Sequence, residues 1–134
     1  MIVAIDFGIT NTDVAVSNKS QYKFFSIPSK NANESFIDEI ISLIDIDITE
    51  ISQIVVTGGK SNELNESFKG VNLTKISETD AIGYGTKEIY KIENEPFITL
   101  SCGTGTACIH HQDGQFSYIG GIAVGGGTIS GLSK

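Results

Sequence analysis

The sequence predicts an α/β domain in which helices cover the faces of a mixed sheet, and three observations carry that reading. Residues 2 to 6, 12 to 18 and 21 to 27 are short β-prone runs separated by turn residues, the spacing of an antiparallel three-strand meander. Ile37, Ile40, Ile41 and Ile44 recur at the i, i+3, i+4, i+7 interval of a helix with one apolar face. Ile54-Val55-Val56-Thr57 is an unbroken apolar run closed by Gly58-Gly59, as expected of a strand covered on both faces and lying parallel to the first.

Taken in order, the first strand stops at Asp6, and Gly8 to Asn11 turn the chain. Ser17-Asn18-Lys19-Ser20 divides the second strand from the third. Pro28 and the polar residues 29 to 34 end the meander, and Ser35 offers an N-cap for the isoleucine-faced helix. Val71 to Ile76 reads as a strand. Ser77 then caps a helix running to about Lys91, with Asp80 at the third position in the place a capping box gives to Glu. Phe97 to Ser101, Thr106 to His111 and Gln115 to Ile119 form a second group of strands, the last two joined by an Asp113-Gly114 hairpin turn. A glycine-rich turn from Gly120 leads to a helix from Thr128 to Lys134. That helix is short and lacks a C-cap, so the chain is expected to be cut within or just after it.

At 134 residues and 40% hydrophobic, the chain fits one domain with a core of its own. A net charge of −7 disfavours nucleic acid or an anionic membrane as partner, since both reward dense basic surface. All nine basic residues are lysine. Without arginine's planar fork, an anion must be held by backbone amides, hydroxyls, lysine or a metal ion. Cys102 and Cys108 resemble neither a disulfide framework nor paired zinc ligands and read as reduced. Met1 to Ile5 has no basic leader and meets Asp6 too early for a signal peptide, and no apolar run approaches a membrane span, so a cytoplasmic protein is expected.

Three glycine-threonine turns carry the chemistry. In the first, Asp6-Phe7-Gly8-Ile9-Thr10-Asn11-Thr12, a carboxylate at a strand end suits Mg²⁺ while Gly8, Thr10, Asn11 and Thr12 suit phosphate. An ordinary turn in which Asp6 bonds its own backbone explains the same residues. The second, Gly103-Thr104-Gly105-Thr106, has more glycine and hydroxyl than a hairpin needs. The third, Gly125-Gly126-Gly127-Thr128, opens a helix, and its glycines suggest that something approaches the backbone closely.

Two imitations fail. Gly58-Gly59-Lys60-Ser61 looks like the end of a phosphate-binding P-loop, but Ile54 stands where that pattern needs glycine. His110-His111 on a strand point to opposite faces, which leaves no obvious metal site. Glu78, a carboxylate at a helix start, is the candidate base; it is equally a favourable charge at the helix dipole.

With those residues in view, the chain resembles the amino-terminal half of a type II pantothenate kinase, in the acetate kinase, sugar kinase, Hsp70 and actin superfamily. The segment Gly120 to Leu132 is similar to the family's glycine-rich run into a helix, Cys102 to Thr106 to its second phosphate turn, and Val56-Thr57-Gly58-Gly59 to a family strand end. The resemblance implies a ribonuclease H-like (actin-like ATPase) domain over residues 1–134 of a two-domain kinase, with a second domain after it, and a homodimer in the full-length form. It implies ATP and Mg²⁺ as cofactors, pantothenate as the small-molecule substrate and the first step of coenzyme A synthesis as the role.

Carried over by residue, Gly8, Ile9, Thr10, Asn11, Thr12 and Asp13 match the first ATP loop, with Asp6 toward the metal. Thr104 and Gly105 match the second, and Gly126, Gly127, Thr128, Ile129 and Ser130 the later ATP segment. Glu78 matches the catalytic base, and Thr106 and Tyr118 fall on the substrate side. Three positions depart from the family: Ile9 replaces a second glycine, Asp13 a frequent lysine, and Ser117-Tyr118 stands where the family has an arginine that meets the substrate carboxylate. A non-catalytic nucleotide-binding domain, or a kinase for another alcohol or sugar, remains the alternative.

Overall fold

The computed structural model describes residues 1–19, 21–59 and 61–133. Ser20 of the expected turn, Lys60 of the P-loop imitation and Lys134 at the expected helix end lie outside the described residues. The chain forms two compact units, 1–76 and 77–134.

The first unit is a mixed six-stranded sheet with one helix on it. Strands β1 (Ile2–Phe7), β2 (Asn11–Asn18) and β3 (Gln21–Pro28) make the expected antiparallel meander, and β4 (Gln53–Thr57) pairs parallel to β1. β6 (Val71–Lys75) adds parallel to β4, and the two-residue β5 (Ser67–Phe68) closes the edge, giving the order β3-β2-β1-β4-β6-β5. Alternation along the strands sends Val3, Ile5, Phe7, Val14, Val16, Ile54, Val56 and Leu73 to one face. On that face lies α1 (Glu34–Leu43), whose Ile37, Ile40 and Ile41, with Ile44 at its end, are all buried. The cap of α1 is Asn33 rather than Ser35: its side chain accepts a hydrogen bond from the Phe36 amide at 2.9 Å, which leaves Ser35 inside the first turn.

The second unit is a three-stranded antiparallel sheet, β7 (Phe97–Cys102), β8 (Thr106–Gln112) and β9 (Gln115–Ile122), with α2 (Glu78–Tyr90) on one face. Ser77 caps α2 as expected, accepting from the Asp80 amide at 3.1 Å and donating to the Asp80 carboxylate at 2.7 Å. The Asp113-Gly114 turn has φ of 51° and 76°, the left-handed pair a tight hairpin requires. β9 runs three residues beyond expectation: Gly120 and Gly121 pair with Cys108 and Ala107 across a bulge, so they are strand and the turn proper begins at Ala123. The last helix, α3, spans Gly126–Leu132 and so starts two residues before Thr128.

Candidate functional site

In the first unit the turn between β1 and β2 is laced to the residue after β3. The Ser29 hydroxyl donates to the Gly8 carbonyl at 2.7 Å and shares a 2.9 Å hydrogen bond with the fully buried Thr12 hydroxyl, while the Ser29 amide donates to the Thr10 carbonyl at 3.0 Å. Sequence reasoning missed Ser29, because its partners lie some twenty residues earlier. A methyl group at Gly8 would stand 2.5 Å from the Asn11 carbonyl oxygen, which explains the glycine without any ligand. Ile9 points away from the core at 83% exposure.

Beside this turn, Asp6 pairs with Asp13 across β1 and β2 and with Thr57 across β1 and β4, which puts all three on the sheet face opposite α1. The Thr57 hydroxyl is buried with no hydrogen-bond partner among the described residues. Gly58, at φ 94°, packs against the end of β1, where a methyl group would stand 2.5 Å from the Phe7 carbonyl oxygen.

In the second unit the two remaining turns are pressed into each other. A methyl group on Gly125 would stand 2.6 Å from the Gly105 carbonyl oxygen and 2.7 Å from that of Gly103, and one on Gly105 would stand 2.9 Å from the Ile122 carbonyl oxygen. The Thr106 hydroxyl donates to the Val124 carbonyl at 2.8 Å, and the Gly103 amide to the Gly105 carbonyl at 2.8 Å. A methyl group on Gly127 would lie 3.4 Å from Thr104, an ordinary contact. The Thr128 hydroxyl caps α3, accepting from the Gly125 amide at 3.4 Å and donating to the Ala123 carbonyl at 3.3 Å. Thr104, Gly105, Thr106, Gly126, Gly127 and Thr128 are therefore gathered into one assembly. Ile129 and Ser130 follow on the exposed surface of α3. The close approach that the third turn's glycines suggest is, at Gly125, the approach of the second turn. Gly103 differs, because no atom lies within 4 Å of where its side chain would begin.

Glu78 is exposed at the first position of α2, and Asp80 is held by Ser77, so the two carboxylates of that turn are separated into a solvent-facing group and a capping group. Tyr118 lies on β9 with its hydroxyl over Gly121, whose missing side chain makes room for it. His111 is buried and stacks on Phe97 at 4.7 Å, while His110 lies on the other face. Outside these turns, the exposed carboxyl groups of Asp47 and Glu95 sit below the usual range: Asp47 through hydrogen bonds from the amide and hydroxyl of Thr49, and Glu95 through its own amide and that of Asn94. Among the described residues no helix is long and apolar enough to cross a membrane, and no cluster of three or more metal-ligating side chains occurs.

No protein-family model matches the chain. Its sequence is 34% identical over 138 residues to a type II pantothenate kinase of Bacillus anthracis, covering 98% of this chain and 48% of that protein. Nearly the whole chain is similar to type II pantothenate kinases. It spans about half the length of the curated relatives it matches. Among solved structures, the activator of the 2-hydroxyisocaproyl-CoA dehydratase from Clostridium difficile, with bound ADPNP, superposes with a TM-score of 0.60 at 16% identity, over 90% of this chain and 44% of that one. A ROK family protein from Streptococcus pneumoniae in complex with sucrose gives 0.52 at 16% identity, over 87% and 47%. These neighbours bear out the expected α/β, ribonuclease H-like fold with its mixed sheet.

Proposed function

We propose that this chain is the ATP-binding and catalytic-base half of a pantothenate kinase, acting at the first step of coenzyme A synthesis. The observation that carries the reading is 34% identity to such a kinase over 98% of the chain, with Glu78 standing free at a helix start while its neighbour Asp80 is engaged as a cap. Glu78 accepts the proton of the substrate hydroxyl and orients its oxygen for attack on the γ-phosphate; phosphoryl transfer depends more on such positioning than on base strength.

The first turn and the joined second and third turns are the ATP-binding elements, with Asp6, Gly8, Ile9, Thr10, Asn11, Thr12 and Asp13 in one, and Thr104, Gly105 and Gly126 to Ser130 in the other. Asp6 with Asp13 supplies hard oxygen donors of the kind Mg²⁺ takes alongside phosphate oxygens, since that ion is usually held by one or two carboxylates and its own waters. Bound there, the ion would offset phosphate charge. Thr106 and Tyr118 face the substrate; the Thr106 hydroxyl also holds the third turn. The chain, acidic at −7 and without a membrane-crossing helix among its described residues, fits a cytoplasmic enzyme with no nucleic-acid or membrane partner. We assign residues 1–134 to the amino-terminal part of a two-domain, homodimeric kinase.

The test is steady-state ATP consumption by the intact protein with pantothenate, compared with Glu78→Gln. Turnover in the native protein and its loss in the variant, with nucleotide binding kept, supports the assignment; unchanged turnover in the variant removes Glu78 from the mechanism. A second reading, a kinase for an uncharged alcohol or sugar, is favoured by one observation: the chain contains no arginine, and Tyr118 offers only a neutral hydrogen bond, about half as strong as a charge-assisted one. If pantothenate is the substrate, Tyr118→Ala raises its KM. A screen in which sugars turn over and pantothenate does not decides for the second reading.

A further inference from the structure

Helix α2 meets its sheet through unlike contacts at Gly83 and at Thr86. At Gly83, the only buried residue of α2, a methyl group would stand 2.5 Å from Cε1 and Cγ of Phe116, so the helix rests directly on that ring. At Thr86, one turn later, the hydroxyl receives a 3.1 Å hydrogen bond from Thr99. Phe116 is on β9 and Thr99 on β7, at opposite edges of the sheet, so the helix crosses from β9 toward β7. Its first residue, Glu78, lies five positions before Gly83, roughly 7.5 Å back along the axis and therefore on the β9 side. Tyr118 lies on that side too, two residues along β9 from Phe116 and on the same face.

The Phe116 ring is itself fixed. Tyr84 meets it edge-on at 4.8 Å, His111 lies 4.9 Å away, and Phe97 stacks on His111 from the far strand. Phe97, His111 and Phe116 are direct register partners, one residue from each strand, so the ring belongs to a row that spans the sheet.

We propose that Gly83 and Phe116 form a seat that sets the height and tilt of α2 over the sheet and thereby positions Glu78 for its reaction. The inference rests on the reading of Glu78 as base. Neither residue is catalytic; both act through Glu78. A side chain at position 83, near the middle of α2 and five residues from Glu78, lifts the helix, and displacements near an ångström at a reacting group can cost about a hundredfold in rate. Alanine is also the better helix former, so a purely local effect of Gly83→Ala would stabilise the protein rather than impair it.

The experiment compares kcat, the KM for ATP and thermal unfolding of the intact protein with Gly83→Ala, Phe116→Leu, Gly83→Ala combined with Phe116→Ala, and Gly83→Ala in a Glu78→Gln background. The expected result is a kcat lowered by roughly tenfold to a hundredfold in Gly83→Ala at an ATP KM within about twofold of the native value. The combined variant, in which truncating Phe116 removes the ring atoms that the new methyl group meets, recovers most of that loss. In the Glu78→Gln background Gly83→Ala brings no further loss. Native kcat in folded Gly83→Ala, failure of the Phe116 truncation to rescue it, or a full additional loss in the Glu78→Gln background overturns the seat alone. Native kcat in Glu78→Gln overturns the base reading and the seat with it. Should Gly83→Ala not fold, Phe116→Leu decides: a several-fold lower kcat at unchanged ATP KM supports the seat, and native kcat refutes it.

Discussion

The two meanders of this chain have nearly the same plan and opposite surroundings. In each, a six-residue strand, β1 or β7, enters a three-residue glycine turn, and two residues separate the next strand, of eight or seven residues, from an eight-residue third. The first is extended by β4, β6 and β5 and buries one face under α1. The second remains three strands wide, and Ile98, Leu100 and Ile122 on the face away from α2 are at least 60% exposed. Their glycine turns differ in the same way. Gly8 to Thr10 is tied by the hydroxyl and amide of Ser29, just past the end of β3, whereas Gly103 to Gly105 packs against the backbone of another turn. Glycine in such a turn therefore does not by itself mean a ligand: it can mean that two stretches of main chain touch.

That contrast is open to substitution. The largest effect is expected at Gly58, beneath the first turn, where alanine meets both a left-handed φ of 94° and the Phe7 carbonyl oxygen at 2.5 Å. Gly58→Ala should destabilise the protein by roughly 3 kcal/mol in denaturant unfolding; a loss below 1 kcal/mol would show that the β1 and β4 ends are free to part. Next comes Gly125→Ala, which drives a methyl group against two carbonyl oxygens and should cost about 2 kcal/mol. If it unfolds like the native protein, the second and third turns are not in contact. Ser29→Ala removes the hydroxyl that serves both Gly8 and Thr12 and should cost about 1 to 2 kcal/mol, because the fully buried Thr12 loses a partner.

The smallest effect concerns acid. Thr49 holds the Asp47 carboxyl below its ordinary value of 3.8, so the charged form is favoured in the folded state. Its contribution is present above that ordinary value and lost as pH falls through the lower, folded one. Asp47→Asn should lower stability slightly at pH 7, where the contribution is present, and flatten the fall below about pH 4 so that the two proteins converge in acid, an outcome that matched acid titrations of the two would reveal.

Local signals in the sequence translated well wherever the decisive partner was near. The isoleucine stripe of α1 is buried as its spacing requires, Ser77 caps α2, and Asp113-Gly114 makes its hairpin. The boundary of α1 slipped by two residues because Asn33 and Ser35 are caps of similar strength and only the fold chooses between them. Gly120 and Gly121 read as turn because glycine is poor in strands, yet pairing with Cys108 and Ala107 overrides that preference. β5, two residues long, is too short to show a period. Of the site, Glu78 and the three turns were legible in the sequence as candidates. Ser29 and the interlocking of Gly125 with Gly103 and Gly105 were not, since both are contacts between segments about twenty residues apart.

The most direct test is a comparison of Gly103→Ala with Gly125→Ala in the intact protein, reading thermal stability and ATP affinity together. Gly103 has open space around it, so its alanine variant should unfold within about 0.5 kcal/mol of the native protein. If the second turn binds phosphate, the same variant should lose about tenfold in ATP affinity, near 1.4 kcal/mol, while Gly125→Ala loses stability first. Native ATP affinity in a fully folded Gly103→Ala protein would contradict the account, leaving that turn a piece of scaffold.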